Sequence, residues 1–247
     1  MSIDARKLRT AALLLHFDVS WVSRILDGDA LQLNPEERAL FASIDRRAFR
    51  ADPERKARAA AAVVDELPVA TAVAGLPQLF SFFSSPAFID VIEQRTSLVE
   101  GVALFLGPPA AVEGCIARAR RRRRHGGPFT LAPGIDGAGA LARGTIERWT
   151  KLRTSLGPQP AEAVMRGARL RWEPMDPGEQ EGVVVDGGLG DPRVASCTHD
   201  LGLLLAAARH QGHDALVALA RGRGCDEDEA AALLGDLQRE GLLVDVV

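Results

Sequence analysis

The sequence predicts a mainly helical α+β fold, in which an N-terminal helical bundle is followed by a small domain with a short β-sheet plus three helices. Three observations support this class. Apolar residues recur with helical spacing over residues 1–124. Glycines and prolines interrupt that pattern over residues 125–144, a composition that breaks helices. Two short extended stretches, residues 168–172 and 182–186, then precede three amphipathic segments.

Helix starts are recognisable in the N-terminal half of the chain. At residues 34–37 the sequence NPEE offers an asparagine acceptor at the N-cap, a proline at the first helical position and carboxylates beside the positive end of the helix dipole. Residues 52–54 (DPE) and the pair Ser85-Pro86 repeat this pattern. Pro68 follows an amphipathic run and disfavours its continuation. We therefore expect consecutive helices in this half.

The glycine-rich segment sets the expected domain boundary. We predict a helical, enzyme-docking domain at residues 1–125, a linker or long loop at residues 126–143 and a second domain at residues 144–247. Residues 137–142 match the dinucleotide-binding pattern GxGxxA, which requires a preceding strand and a following βαβ arrangement. Because no convincing strand precedes it, we interpret this segment as a flexible loop.

The second domain is predicted to be winged-helix-like, because a strand pair precedes three helices and a closing strand. The predicted helices and the closing strand cover residues 145–156, 160–166, 198–211, 214–221, 226–239 and 241–247. The helix at 226–239 and the residue after it carry six carboxylates against one arginine, Arg239. Its field repels a polyanion. The predicted fold is therefore typical of a module that recognises a ligand, and the charge of the helix argues against nucleic acid as that ligand.

Composition and cysteine content indicate the partners and the redox environment of the protein. The formal net charge is −3, which favours neither nucleic acid nor a membrane as partner. Cys115, Cys197 and Cys225 lie far apart without a CxxC pair, a poor basis for a disulfide framework. We therefore expect a reducing, cytoplasmic location. No window approaches about eighteen uninterrupted apolar residues, so no membrane span is expected.

Two clusters of residues are candidate partner-binding surfaces. Arg118 and residues 120–124 gather guanidiniums at a predicted helix end, which can be a solvated end, a contact for an acidic protein or a nucleic-acid site. The phenylalanines of residues 79–88 favour a core, although serines and a proline break the run so that some rings can face an interface. The candidate interface residues are Phe82, Phe83, Phe88, Arg121, Arg122 and Arg124.

The cysteines and histidines offer little catalytic potential. Cys197 lies close to His199, so a thiolate–imidazole pair is conceivable, but no third group orients the base. His210 and His213 are separated by Gly212, and the further ligands that a metal site needs are missing. We predict no catalytic residue, no metal site and no cofactor in this chain.

Three phrases of the sequence resemble a known family. LNPEERALFASIDRRAFRADPERKARAAAAVVDELPVA, FFSSPAF and IERWTKLRTSL are similar to the partner subunits encoded beside multinuclear non-haem iron oxidative enzymes, including the partner subunit of methanobactin biosynthesis. The similarity extends from about residue 30 to the C-terminus. Those enzymes modify cysteines in ribosomally made precursor peptides. The resemblance implies a non-catalytic subunit whose partners are such an iron enzyme and its precursor peptide, with the iron held by the enzyme.

The tail, with its strand pair, three helices and the terminal signature Gly241-Leu242-Leu243, resembles the small peptide-recognition domain of pyrroloquinoline-quinone and other peptide-modifying pathways. In that family a leader peptide adds a strand to the sheet edge and packs against the third helix, so that backbone groups give affinity and the helix gives selectivity. The resemblance implies these docking-edge and helix-wall residues: Gly182, Val183, Val184, Val185, Glu229, Leu233, Asp236 and Leu237.

Two other functions stay open on the sequence alone. A winged-helix transcriptional regulator would bind DNA through the arginine cluster instead of the acidic helix. An enzyme would use Cys197 and His199. Peptide recognition is favoured over both, because the carboxylates of the acidic helix complement basic residues of a leader peptide.

Overall fold

Helices account for most of the chain. In this computed structural model the described residues are 3–50, 52, 54–125, 131–173, 175–176, 178–187 and 191–244. They form fourteen α-helices, a short 3-10 helix at Arg46–Arg50 and a three-stranded antiparallel sheet. The predicted mainly helical α+β class is therefore confirmed.

In chain order, a first group of eight α-helices is followed by a second group that contains the three strands and the remaining helices. The first group is α1 (Ala5–Phe17), α2 (Ser20–Leu26), α3 (Pro35–Ala42), α4 (Arg55–Glu66), α5 (Pro68–Ala74), α6 (Leu76–Phe82), α7 (Pro86–Gln94) and α8 (Leu98–Leu106). The second group is α9 (Pro108–His125), β1 (Ile135–Ala142), α10 (Thr145–Ser155), α11 (Pro160–Met165), β2 (Gln180–Asp186), β3 (Arg193–Thr198), α12 (His199–Ala207), α13 (His213–Arg221) and α14 (Glu227–Arg239).

The chain divides into two compact units. The helical unit contains Met1–Leu106 and Gln159–Arg169, and the sheet unit contains Gly107–Pro158 and Leu170–Val247. This division differs from the predicted boundary in two ways. Helix α9 belongs with the sheet, because it packs against β1 and β2, and α11 belongs with the helical unit, because it packs against α4 and α5. The chain therefore passes between the units more than once.

Of the helix starts predicted in the helical unit, the one at Asn34 is fully formed. Ser85 is the N-cap of α7 but makes no side-chain cap hydrogen bond, and α4 has Glu54 rather than Asp52 at its N-cap. Asn34 and Glu37 form a capping box, in which the Glu37 N–H donates to Asn34 Oδ1 and the Asn34 N–H donates to Glu37 Oε2, each at 2.9 Å. Pro68 stands at the first turn of α5, immediately after α4 ends. Its ring is compatible with that position and incompatible with a continued α4.

The sheet of the second unit has the strand order β1-β2-β3. Asp136 on β1 faces Arg118 of α9, whereas Gly137 lies against Leu205 of α12. Since alternate residues of a strand point to opposite faces, α9 and α12 cover opposite faces of the sheet. The core on the α12 side continues into α13 and α14 through Leu205, Leu216 and their neighbours.

The closeness of α12 to the sheet depends on glycine. A methyl group on Gly202 of α12 would come within 2.2 Å of the Ala138 carbonyl oxygen, and one on Gly182 of β2 would come within 2.9 Å of the Gly202 Cα. Gly139 likewise lies against Leu203 and the carbonyl oxygen of His199. The prediction of a flexible loop at residues 126–143 is corrected for the described residues of this segment: Gly137 and Gly139 belong to β1 and admit α12. Residues 126–130 lie outside the described part of the chain.

The remaining predicted elements have mixed outcomes. The helices expected at residues 145–156, 160–166, 198–211, 214–221 and 226–239 are present as α10 to α14, with ends that differ by a few residues. The extended stretch expected at residues 168–172 is not a strand. In the expected closing strand, Leu243 makes a single antiparallel bridge with Leu131, and residues 245–247 lie outside the described part of the chain.

Candidate functional site

The predicted docking edge is the central strand of the sheet. In β2, Val183, Val184 and Val185 are paired on both sides, and Val183, for example, lies between Ala138 of β1 and Ser196 of β3. Gly182 pairs with β3 and lies at the register shift of the β1 ladder. Val183 and Val185 are fully buried. The predicted edge role of these four residues is therefore wrong, because β1, which the sequence hides in its glycine-rich segment, covers the other side of β2.

Strand β3 provides the accessible edge instead. It pairs with β2, and no further strand among the described residues pairs with its outer side. Ala195, Ser196 and Thr198 are exposed. In an antiparallel strand with one partner, alternate residues direct their N–H and C=O groups away from that partner. The outer side of β3 therefore offers a row of unpaired backbone donors and acceptors.

The opposite edge strand, β1, already uses backbone groups in contacts with side chains. The Ala140 N–H donates to Nδ1 of His199 at 2.9 Å, and the Gly137 carbonyl accepts a hydrogen bond from the guanidinium of Arg209. Ala140 has a positive φ of 60°, and the register with β2 shifts between Ala138 and Leu141. A bulge of this kind bends a strand and disrupts further pairing, so β1 is the poorer edge for adding a strand.

An apolar groove begins at the end of β3. It has a volume of about 220 Å³ and is lined by side chains of α12, α13 and α14. Its apolar lining consists of Leu201, Leu203, Leu204, Leu219, Ala220 and Leu233. Thr198, the last residue of β3, belongs to the same lining, and Asp200 and Arg223 form an ion pair of 2.7 Å at its rim. The leucine groove, as we call it, therefore begins at the residue where β3 ends.

The predicted wall residues on α14 have different environments. Leu233 is half-buried and lines the leucine groove. Leu237 is wrong as a wall residue, because it is buried in the core formed with α12 and α13. Glu229 is exposed and closes the capping box with Asp226, and Asp236 is exposed and pairs with Arg239.

Helical spacing places acidic residues of α14 on the helix face that carries Leu233. Glu229, Leu233, Asp236 and Glu240 are separated by three or four positions and therefore share one face of the helix. Leu233 on this face lines the leucine groove, whereas Glu229, Asp236 and Glu240 are exposed and lie outside its lining. The helix also carries Asp226, Glu227 and Asp228 at its start. A ligand that extends from the groove over this face would meet carboxylates as well as apolar side chains.

The phenylalanines predicted as interface residues belong to the core of the helical unit. Phe82, Phe83 and Phe88 are buried, and their ring centroids lie 5.4 to 5.7 Å apart in edge-on contacts. Phe17 and Phe105 complete the cluster. Their predicted interface role is wrong, because the three rings pack against one another in the core. Edge-to-face contacts between aromatic rings stabilise such a buried cluster.

The arginine cluster lies on α9 of the sheet unit. Arg118 donates from Nε to Oδ2 of Asp136 at 2.7 Å and is therefore committed to a structural ion pair. Arg121 is half-buried and makes contacts of its own. The side chains of Arg122 and Arg124, also predicted as interface residues, lie outside the described part of the structure.

A buried carboxylate between two arginines was not anticipated from the sequence. Asp136 is fully buried, and its Oδ1 accepts a 2.6 Å hydrogen bond from Nε of Arg209 while its Oδ2 accepts from Arg118. An aspartate inside the glycine-rich segment was the available signal, because an acidic side chain in a strand that is covered on both faces requires charged partners.

Neither Cys197 nor His199 is arranged as a nucleophile–base pair. Burial, followed by the nearby Glu181 carboxylate, raises the pKa of the Cys197 thiol to about 11, so the thiol is protonated near neutral pH and nucleophilicity is low. Nδ1 of His199 accepts the Ala140 N–H, so its lone pair is occupied. Burial likewise raises the pKa of Cys115 to about 11.

Within the residues that the structure describes, no group of three or more histidine, cysteine, aspartate or glutamate side chains is placed to hold a metal ion. None of the helices in the same residues combines the length and apolar character needed to cross a membrane.

Comparisons of this chain with known protein families, with curated proteins and with solved structures found no match. The candidate site is consequently defined by its own geometry: the open edge of β3, the leucine groove at its end and the acidic face of α14.

Proposed function

We propose that this chain is a non-catalytic partner subunit that binds a ribosomally made precursor peptide and presents the peptide's cysteine to a multinuclear non-haem iron oxidative enzyme. The enzyme supplies the iron and the oxidation chemistry, and this chain supplies binding and orientation. The observation that carries the proposal is the open β3 edge next to the leucine groove. An extended peptide needs both features: unpaired backbone groups and a pocket for its side chains.

The leader segment of the peptide adds to β3 as a fourth strand. Its backbone bonds to the outward N–H and C=O groups of β3, which gives affinity that depends little on sequence. Side chains on one face of the added strand then reach Leu201 and Leu233 in the leucine groove. In the sheet unit β2 and β3 are followed directly by α12, α13 and α14, an order that supports a winged-helix-like reader module of the type that the sequence resembles.

The acidic face of α14 selects the charge of the peptide. Glu229, Asp236 and Glu240 are exposed on the helix face that carries Leu233, so a leader with lysine or arginine next to its apolar anchor binds more tightly than an acidic one. Interactions of this kind raise the association rate and discriminate against like-charged ligands. Since they are exposed, they weaken as salt is added.

Amide hydrogen exchange tests the proposal on the full chain. The probe is the precursor peptide encoded beside the iron enzyme of the same gene neighbourhood. Binding is expected to slow exchange at the outward-facing amides of β3 and at Leu233, while the amides of β1 exchange as before. Slowing at β1 with no change at β3 would reject the strand-addition mode.

Co-expression tests the partnership with the enzyme. The chain, the neighbouring iron enzyme and the precursor are expected to co-elute in size-exclusion chromatography, with the iron bound to the enzyme. Two proteins that elute separately at micromolar concentration, with and without the peptide, would overturn the proposal.

A second candidate function, binding of duplex DNA, is favoured by one observation. Helix α9, which carries the arginine cluster, belongs to the same unit as the three C-terminal helices. DNA binding would release counterions and weaken steeply with salt. A mobility shift on duplex DNA at low salt that disappears as salt is raised would support this candidate, and no shift at low salt would reject it. We rank it second because Arg118 is already paired with Asp136.

A further inference from the structure

A cleft in the helical unit combines three arginines with apolar walls. It lies between α1 and the end of α7, has a volume of about 300 Å³ and is separate from the leucine groove. Its lining consists of Arg6, Arg9, Thr10, Leu13, Ile92, Glu93 and Arg95. Three guanidiniums therefore face a single carboxylate, in a chain whose formal net charge is negative. We call this cleft the arginine cleft.

The cleft is built by the periodicity of α1. Arg6, Arg9 and Leu13 follow one another at spacings of three and four residues and therefore share one exposed face of α1, a helix that packs on α7. Arg6 also donates to the Glu93 carbonyl oxygen at 2.9 Å, which satisfies an end group of α7. None of the ion pairs recorded between described residues involves Arg9 or Arg95.

Arg95 occupies a position where glycine would be expected. It stands directly after α7 with φ 54° and ψ 34°, the left-handed conformation. Glycine adopts this conformation without steric cost, and an arginine does not. The chain thus places a third guanidinium in the lining of the cleft at an unfavourable backbone position.

The apolar walls indicate what kind of anion fits. Leu13 is 52 % exposed although it lines the cleft, and Ile92 is half-buried beside it. Inorganic phosphate would use the arginines and leave these two side chains in water. A polypeptide that carries carboxylates next to an aliphatic side chain uses both, because guanidinium pairs with carboxylate in a bidentate geometry while the aliphatic groups bury one another.

We propose that the arginine cleft is a docking site for an acidic, partly apolar segment of a partner protein. This inference rests on the proposed function for the identity of that partner, the iron enzyme, but its chemistry is tested without the enzyme. The arginine cleft thereby takes the place of the buried phenylalanines as the proposed contact surface of the helical unit.

The test is fluorescence anisotropy with the full chain and two labelled synthetic peptides, one with glutamates beside leucines and one with lysines in place of the glutamates. The glutamate peptide is expected to bind, with an affinity that falls as salt is added. Arg9→Glu combined with Arg95→Glu should weaken it at least about tenfold, since both charge-assisted contacts become repulsive. The matched control is Arg47→Glu, an exposed arginine on the 3-10 helix of the same unit, which should leave the affinity unchanged.

The outcomes separate this inference from the proposed function. Equal binding of both peptides, equal affinity in the double variant, or complete displacement of the peptide by inorganic phosphate would overturn the docking site. Leu233→Asp, in the leucine groove, should leave binding of the glutamate peptide intact. A chain that binds the precursor but not the glutamate peptide loses only this inference, and the reverse result removes only the precursor proposal.

Discussion

Nε of Arg209 donates to Oδ1 of Asp136 at 2.6 Å, and the accepting carboxylate is fully buried. Arg118 of α9 donates to the other oxygen of the same carboxylate. The two contacts join three segments of the sheet unit: α9, β1 and the residue that follows α12. A charge buried in this way is stable only while its partners neutralise it, so the sheet unit depends on a single carboxylate.

Asp136→Asn should destabilise the sheet unit strongly. The amide keeps the shape of the side chain but leaves two arginines, whose side chains are 23 % and 17 % exposed, without their negative partner. Breaking a buried pair costs about 3–5 kcal/mol. Urea unfolding followed by circular dichroism measures the loss. Asp29→Asn is the control, because Asp29 is 91 % exposed and pairs with Arg38 at the surface; equal midpoints for the two variants would contradict this account.

Gly202→Ala should also destabilise the sheet unit, for a steric reason. The added methyl group would meet the Ala138 carbonyl oxygen at 2.2 Å, so α12 must move away from the sheet. Overpacking of this kind costs about 1–3 kcal/mol. Gly235→Ala on α14 is the matched control: nothing lies within 4 Å of its added methyl group, and alanine favours a helix by about 0.5–1 kcal/mol. Thermal unfolding should move in opposite directions for the two variants.

Leu233→Asp should weaken precursor binding without unfolding the protein. The change removes an apolar wall of the leucine groove and adds a charge beside the carboxylates of α14. Loss of a buried leucine contact corresponds to about 1.5–3 kcal/mol, or roughly tenfold to a hundredfold in affinity. Isothermal titration calorimetry measures it. Leu104→Asp, at a leucine that is 88 % exposed in the helical unit, should bind as the parent chain does; equal loss in both variants would place the peptide elsewhere.

The reactivity of Cys197 should depend on pH in a predictable direction. Burial raises the pKa of its thiol from the ordinary 9.0 to about 11, so the thiolate fraction at pH 8 is about a hundredfold lower than for an ordinary thiol. Labelling with iodoacetamide, followed by mass spectrometry, should be slow at pH 8 and accelerate up to about pH 11.

The same pKa difference has a consequence for stability. The folded state prefers the protonated thiol, so the contribution of Cys197 to the free energy of unfolding is complete below pH 9.0 and is lost as the pH rises to about 11.

The urea-unfolded chain is the control for the labelling experiment. If Cys197 in the folded chain reacts at pH 8 as fast as in the unfolded chain, the raised pKa is refuted.

Local signals in the sequence predicted most of the helices and strand β2, but not β1 or β3. The capping box at Asn34 and the helix start at Asp226 involve residues within one helical turn of each other, and such signals are visible in any short window. Strand β1 was missed because its glycines, needed for the approach of α12, are the residues that otherwise break regular structure.

The candidate site was predictable only in part, because local signals place its helical residues but not its strand edge. Leu233, predicted as a wall residue for the peptide, lines the leucine groove, and its contact with a peptide stays a prediction. Whether β2 or β3 forms the edge depends on pairing with β1, a strand distant in the sequence. The burial of Phe82 and Phe88 depends on Phe17 and Phe105 from other helices. Long-range contacts of this kind leave no local pattern.

The pairing of β1 with β2 determines where the chain can be truncated without exposing an apolar strand. A fragment that begins after the glycine-rich segment lacks β1, so Val183 and Val185 of β2 lose their cover and the strand presents a long apolar edge. Such edges recruit strands from other molecules. A fragment from residue 144 is therefore expected to aggregate, whereas one that begins ahead of α9 retains the whole sheet and both arginine partners of Asp136.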